Sequence, residues 1–333
     1  MSDVEFLVHS GIGRITLNRP RALNALTHDM VNAIAEHLEQ WRDDRGVRAV
    51  VVEGAGERGL CAGGDIRSIY DDAKAGGTAS LDFWADEYRM NAAIAQYPKP
   101  YIAIMDGLVM GGGVGVSAHG SHRVVTDRSR IAMPEVGIGF VPDVGGTYLL
   151  SRAPGELGTH AALTTAQLSG ADAIRCGLAD RYVPAERLPD LFDALATRTP
   201  DAAIDLVADA PPPSSLGAWI DDCYSADTVE EILDRLRDSD EAAVSAAKEI
   251  ESKSPTALKV TLRALRRAAE LPDLESVLDQ ELRVSHHAFR SAEFIEGVRA
   301  QIIDKDRSPR WNPSTLAEVD DDLVEAYFAE VTR

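Results

Sequence analysis

The sequence predicts an α/β protein with a mainly helical C-terminal part. Strand-length apolar runs alternate with amphipathic runs of helical period over about the first 210 residues. The runs at 49–52 and 101–105 are apolar throughout, as expected of strands buried on both faces. Beyond residue 215 helical patterns dominate.

The elements follow in order. Residues 4–8 and 12–17 read as two strands joined at Ser10-Gly11, a hairpin signal. After Asn18-Arg19-Pro20, Thr27 opens a helix with Met30, Ile34, Leu38 and Trp41 on one face, and the strand 49–52 follows. A second amphipathic stretch, 81–97, leads through Pro98-Lys99-Pro100 into the strand 101–105. Gly111-Gly112-Gly113 precede small residues, 114–118, that suit a closely packed helix, and 123–125 is strand-like. Three prolines in Pro211-Pro212-Pro213-Ser214-Ser215 exclude helix interior and central strand, so a linker is expected there, dividing the chain into 1–210 and 211–333. Helices are expected at 228–236, 255–271, 274–287 and 291–302, with Pro255 behind Ser254 as a favourable start.

The chain has 333 residues, 34 Lys and Arg against 54 Asp and Glu, 45% hydrophobic residues and 3 cysteines, for a net charge of -20 at pH 7. That charge repels phosphate backbones and anionic membranes, so nucleic acid and membrane are not expected as partners. Cys61, Cys176 and Cys223 form neither a bridge framework nor a metal-spaced cluster, which predicts a reducing, metal-free setting. No apolar run approaches the ~20 residues of a spanning helix. The first residues, Met-Ser-Asp-Val-Glu, lack a recognisable targeting pattern, and the expected location is the cytoplasm.

Several chemical motifs fail on spacing. Gly113, Gly115 and Ala118 satisfy a dinucleotide pattern, but Asp106-Gly107-Leu108-Val109-Met110 separate the glycine run from the strand end at which such a turn must start. Ser117 lacks the second glycine of a nucleophile elbow. His119 and His122 have no third ligand for a metal. Two glycine segments read differently: Cys61-Ala62-Gly63-Gly64-Asp65 and Met110-Gly111-Gly112-Gly113-Val114 each follow a strand and aim free N–H groups outward, suiting an oxyanion. In the segment 132–146, Glu135 and Asp143 stand among apolar residues, Gly and Pro. A carboxylate in such a wall has a raised pKa and serves as base or nucleophile, whereas Asp143 also reads as a helix N-cap.

Together, in this order, these segments resemble the crotonase (enoyl-CoA hydratase/isomerase) superfamily, from Asn18-Arg19-Pro20 and Asn24-Ala25-Leu26 onward. Asp86-Glu87-Tyr88, Phe140-Val141-Pro142-Asp143-Val144-Gly145-Gly146 and Ile303-Asp304-Lys305-Asp306-Arg307-Ser308-Pro309-Arg310-Trp311 are similar to its 3-hydroxyacyl-CoA hydrolase branch. The resemblance implies a spiral of stacked β-β-α turns with a helical C-terminal region. It also implies hydrolysis of a short 3-hydroxyacyl-CoA thioester, foremost 3-hydroxyisobutyryl-CoA in valine breakdown. Gly64 and Gly112 would supply the oxyanion hole, Glu135 the base or nucleophile, and Glu87 and Asp143 the contacts to the acyl group. Without the resemblance, Glu87 also reads as a solvated helix position beside Tyr88.

The informative departure is Gly115, where hydratases of the superfamily carry a second glutamate. Adding water to a double bond by the usual scheme needs two carboxylates, while hydrolysis needs one base or nucleophile and an oxyanion hole. This favours the hydrolase over the alternative, an enoyl-CoA hydratase or isomerase. No cofactor is expected, since coenzyme A belongs to the substrate. Arg19 and Arg21 are candidates for its phosphates, and a homo-oligomer is left open.

Overall fold

The computed structural model describes residues 2–330. The described chain divides into two units interleaved in sequence. One takes the chain up to Gly64 with Ala85–Ala132 and Gln167–Ser215, and the other takes Asp65–Trp84, Met133–Ala166 and the chain from Leu216. The second unit thus claims two stretches of the expected 1–210 part, because the loops between strands of the first unit are long enough to fold elsewhere.

All strands lie in the first unit: β1 (Val4–His9), β2 (Ile12–Leu17), β3 (Ala49–Gly54), β4 (Gly59–Cys61), β5 (Tyr101–Met105), β6 (Leu108–Met110), β7 (His122–Val125), β8 (Arg130–Ala132), β9 (Leu168–Ser169) and β10 (Arg181–Tyr182). β1 and β2 form the expected antiparallel hairpin, with Ser10 and Gly11 at φ 51° and 78° as a two-residue turn requires. β2, β3, β5, β7 and β10 continue that sheet in parallel. β4, β6 and β8 form a second, parallel sheet edged by antiparallel β9. Each successive pair, β3 with β4, β5 with β6 and β7 with β8, therefore sends one strand to either sheet, which is the repeating turn of the expected spiral.

Local sequence explains these elements. β3 and β5 are buried along nearly their whole length, hence their unbroken apolar runs. Thr27 caps the helix His28–Asp43 by accepting from Met30 N at 3.3 Å. Met30, Ile34, Leu38 and Trp41 are its buried face. Trp41 lies flat on β2, where a Cβ on Gly13 would come within 2.6 Å of its ring. Burying each such side chain contributes roughly 1.5–3 kcal/mol. The 211–215 segment is irregular, as its prolines require, and Asp172 pins it by accepting from Ser214 Oγ at 2.7 Å and Ser215 N at 2.8 Å.

The second unit contains no strand among the described residues. Its helices Val229–Arg237, Pro255–Glu270, Leu274–Phe289 and Ala292–Val298 are capped by Thr228, Ser254, Asp273 and Ser291. The last is shorter than expected. After Val298 the chain winds as a π-turn, Arg299–Ile303, and the Arg299 guanidinium gathers Glu296, Asp304 and Asp306. The 303–311 motif is thus drawn into a charged knot, which Arg310 N closes by donating to Glu296 at 2.8 Å.

Candidate active site

The expected site residues fall into two groups, each described within its own unit. Gly64, Glu87 and Gly112 belong to the first. Its starting point is the 18–26 loop. Asn24, at φ 57°, is buried; its Oδ1 accepts from Arg19 N, and its Nδ2 donates to the carbonyls of Ala55 and Gly59, all at 3.0 Å. Leu26 is thereby placed to form a parallel bridge with Gly64, with Leu26 N donating to Gly63 O at 2.9 Å. The Asn18-to-Leu26 motif acts as a clamp on the Gly63-Gly64 peptide. Arg19 is committed to the same loop, donating to Ala25 O at 2.7 Å, and Arg21 is exposed.

Each glycine of the triplet has its own reason. Gly111 sits at φ 48°, ψ -119°, outside the range of side-chain-bearing residues. A Cβ on Gly113 would run into the Cys61 carbonyl. A Cβ on Gly112 would lie 2.6 Å from Glu87 Oε1, 3.2 Å from Leu26 Cδ1 and 3.4 Å from Gly64 N. Gly112, Gly64 and Glu87 therefore share one small space. Among the described residues neither the Gly64 nor the Gly112 N–H meets an acceptor. Glu87, on the helix Ala79–Ala95, is 2% exposed, which overturns its reading as a solvated position. Burial, with the Glu87 charge adding, pushes the nearby Cys61 thiol up to about 12, so it is no nucleophile at neutral pH.

Glu135 and Asp143 belong to the second unit. Glu135 opens a single 3-10 turn, Glu135–Ile138, and Phe140 N returns to its carbonyl at 3.0 Å. The segment is anchored by aromatic rings: Phe140 stacks on Trp84 at 5.1 Å and leans on Phe294 at 5.6 Å. Gly139 and Gly297 let the turn and the helix Ala292–Val298 touch backbone to backbone, since a Cβ on Gly139 would lie 2.5 Å from Glu293 O. Glu135 is 6% exposed, and its Oε2 has no hydrogen-bond partner among the described residues. Burial first, then the charges of Asp143 and Glu281, push its carboxyl well above the ordinary value.

Asp143 is also buried, and it does not cap the following helix. That helix, Gly146–Ser151, has Gly145 at its cap position and no capping side chain of its own. Its N–H groups are taken by Glu281, from the helix Leu274–Phe289: Glu281 accepts from Gly145 N at 2.6 Å, Thr147 N at 2.9 Å and Thr147 Oγ1 at 2.5 Å. Sequence reasoning missed Glu281. The signal was available, for it falls among Val277, Leu278, Val284 and Ala288 on the buried side of its helix.

The acids leave a mark on stability. A carboxyl whose pKa is raised by folding favours the folded state at low pH and loses that contribution as pH climbs from the ordinary 4.5 through the folded value. Glu135→Gln should therefore raise Tm by a few degrees at pH 8 and change it little at pH 4, by calorimetry. An equal or lower Tm at pH 8 would contradict the burial of an ionisable group there.

Among the described residues no cluster of His, Cys, Asp or Glu is arranged to hold a metal ion, and no helix is long and apolar enough to cross a membrane. The family model described as enoyl-CoA hydratase/isomerase matches residues 12–328. The chain is similar to the mitochondrial 3-hydroxyisobutyryl-CoA hydrolase of Gallus gallus, 40% identical over 98% of this chain and 89% of that one. Among solved structures it is similar to a carnitinyl-CoA dehydratase from Mycobacterium thermoresistibile, with 56% identity, TM-score 0.97 and coverage of 99% and 97%. An enoyl-CoA hydratase from Rhodobacter sphaeroides follows at 44% identity, TM-score 0.92 and coverage of 98% and 97%. The hydrolase relatives are named mitochondrial, which overturns the expected cytoplasmic location. The lack of a recognisable pattern at the first residues was no guide to compartment.

Proposed function

The chain belongs to the enoyl-CoA hydratase/isomerase family, and from that premise we propose that it hydrolyses a short 3-hydroxyacyl-CoA thioester, 3-hydroxyisobutyryl-CoA foremost, to the free acid and coenzyme A. The observation that carries this reading is the glycine at position 115, buried just behind Gly112, where water addition by two carboxylates would need an acid. The relatives named as hydrolases support it, and the solved dehydratase and hydratase favour the alternative. On chemistry the residues support the first reading: Glu135, a buried acid of raised pKa, with two amides lacking acceptors suits acyl transfer.

In this reading Glu135 attacks the thioester carbonyl, or takes a proton from the water that does. The Gly64 and Gly112 N–H groups hold the oxyanion, each worth about 3 kcal/mol of transition-state stabilisation if it behaves like other such donors. The C–S bond then breaks and coenzyme A leaves as thiolate; where Glu135 is the nucleophile, water then cleaves the acyl anhydride to release the free acid and restore the carboxylate. Glu87 and Asp143 bind the 3-hydroxyl or the attacking water, so an acyl group lacking that hydroxyl leaves a buried acid unpaired and reacts poorly. No cofactor takes part, and coenzyme A enters only with the substrate.

The test offers the purified protein 3-hydroxyisobutyryl-CoA and crotonyl-CoA in parallel, following free thiol with a thiol-reactive dye and the enoyl absorbance. Thiol release from the hydroxyacyl thioester alone is the expected result. Loss of enoyl absorbance without thiol would overturn the reading in favour of a hydratase.

A further inference from the structure

The 143–147 turn is built in a way its own sequence does not support. Val144, a β-branched residue, sits at φ 57° and Gly145 follows at φ 77°, while Gly146 N closes the turn on Asp143 O at 2.6 Å. A β-branched side chain in the left-handed region persists only where its surroundings hold it there. The helix that follows brings no capping side chain. What holds the turn is Glu281, 1% exposed, more than 130 residues further along the chain. Both of its oxygens are engaged, one by Gly145 N and the other by the N–H and hydroxyl of Thr147.

We propose that Glu281 is a positioning residue for the hydrolase: by clamping Gly145 and Thr147 it fixes the turn that aims Asp143 at the acyl group. This rests on the function proposed above. All three partners donate, so they favour the carboxylate form of Glu281. Burial and the Asp143 charge oppose it, holding its pKa up to about 8. The charges that act on Glu135 are those of Asp143, in the same bent segment, and Glu281, and the charge that acts on Glu281 is that of Asp143. Glu281→Gln keeps the volume but replaces one accepting oxygen by an amide NH2, a donor that would face an N–H, releasing one side of the turn.

Two readouts separate positioning from mere support of the fold. In thiol release, Glu281→Gln should lower kcat/KM for 3-hydroxyisobutyryl-CoA at least about tenfold, the scale of a small misplacement of a contact group. It should lower that for isobutyryl-CoA, which lacks the hydroxyl, much less, and add little further loss to Asp143→Asn. Equal fractional losses on both substrates, or full additivity with Asp143→Asn, would overturn the proposal. The second readout needs no substrate: carbon NMR of labelled carboxyls should show Glu135 titrating at lower pH in Glu281→Gln, and an unchanged titration would overturn the link to Glu135. Should Glu281→Gln fail to fold, Thr147→Val, which removes only the hydroxyl donor, should move both readouts the same way by less, and no movement in either would overturn the proposal. If the wild-type protein releases no thiol, the hydrolase reading fails by itself, and the titration still decides whether Glu281 acts on Glu135.

Discussion

Glu135→Gln should reduce thiol release from a 3-hydroxyacyl-CoA by roughly 100- to 10,000-fold if the residue is a general base, and by far more if it is the nucleophile. The variant keeps the shape of the side chain, so the aromatic rings of Phe140, Trp84 and Phe294 have no cause to rearrange. What it loses is the one chemical property the site gives Glu135: a buried carboxyl with a free oxygen and a pKa lifted by burial and neighbouring acids. A base of raised pKa holds a proton more firmly in the transition state, which is why the burial of Glu135 matters to the rate as well as to stability. Binding of coenzyme A, followed by calorimetry, should survive. Turnover within about tenfold of wild type would remove Glu135 from the chemistry, and the gain in Tm at alkaline pH would then be the only consequence of its burial.

Which parts of this protein were legible in the sequence follows from which interactions are local. The hairpin at Ser10-Gly11, the Thr27 cap and the apolar strand Tyr101–Met105 depend on residues close in sequence, and the structure has them at or near the expected bounds. The burial of Glu135 follows from its apolar, glycine-bent setting, also a local property. The division into 1–210 and 211–333 did not anticipate the interleaved units, because it marked a composition break at the prolines and had no way to see where the inter-strand loops fold. Asp143 as an N-cap was a sound local reading, defeated by a competitor from another helix, Glu281. Glu87 shows the same limit. Trp84, Met90 and Ile94 put it on the buried face of its helix, but its place against Gly112 is a tertiary contact that no local pattern shows. The three-glycine run was legible as a turn, but its separate reasons, a backbone angle, the Glu87 carboxylate and the Cys61 carbonyl, are all tertiary.

Gly112→Ala should lower kcat by roughly 100- to 1,000-fold, the effect of losing one oxyanion donor. The backbone is not the obstacle, since Gly112 lies within a short helix, Gly112–Gly115. The added methyl is, for it would lie 2.6 Å from Glu87 Oε1 and 3.4 Å from Gly64 N, in the space that the reading gives to the thioester oxygen. The buried Glu87 carboxylate must move to admit it, so the change strikes an oxyanion donor and an acyl contact together. Gly113→Ala provides the contrast, because its methyl would meet the Cys61 backbone carbonyl and not a movable side chain. That variant should lose stability first, seen as a lower Tm, while Gly112→Ala should keep most of its Tm and lose turnover. Were Gly112→Ala to turn over 3-hydroxyisobutyryl-CoA within about tenfold of wild type, the carbonyl oxygen would have to sit away from the Gly112 amide, and a two-amide oxyanion hole would no longer explain the chemistry.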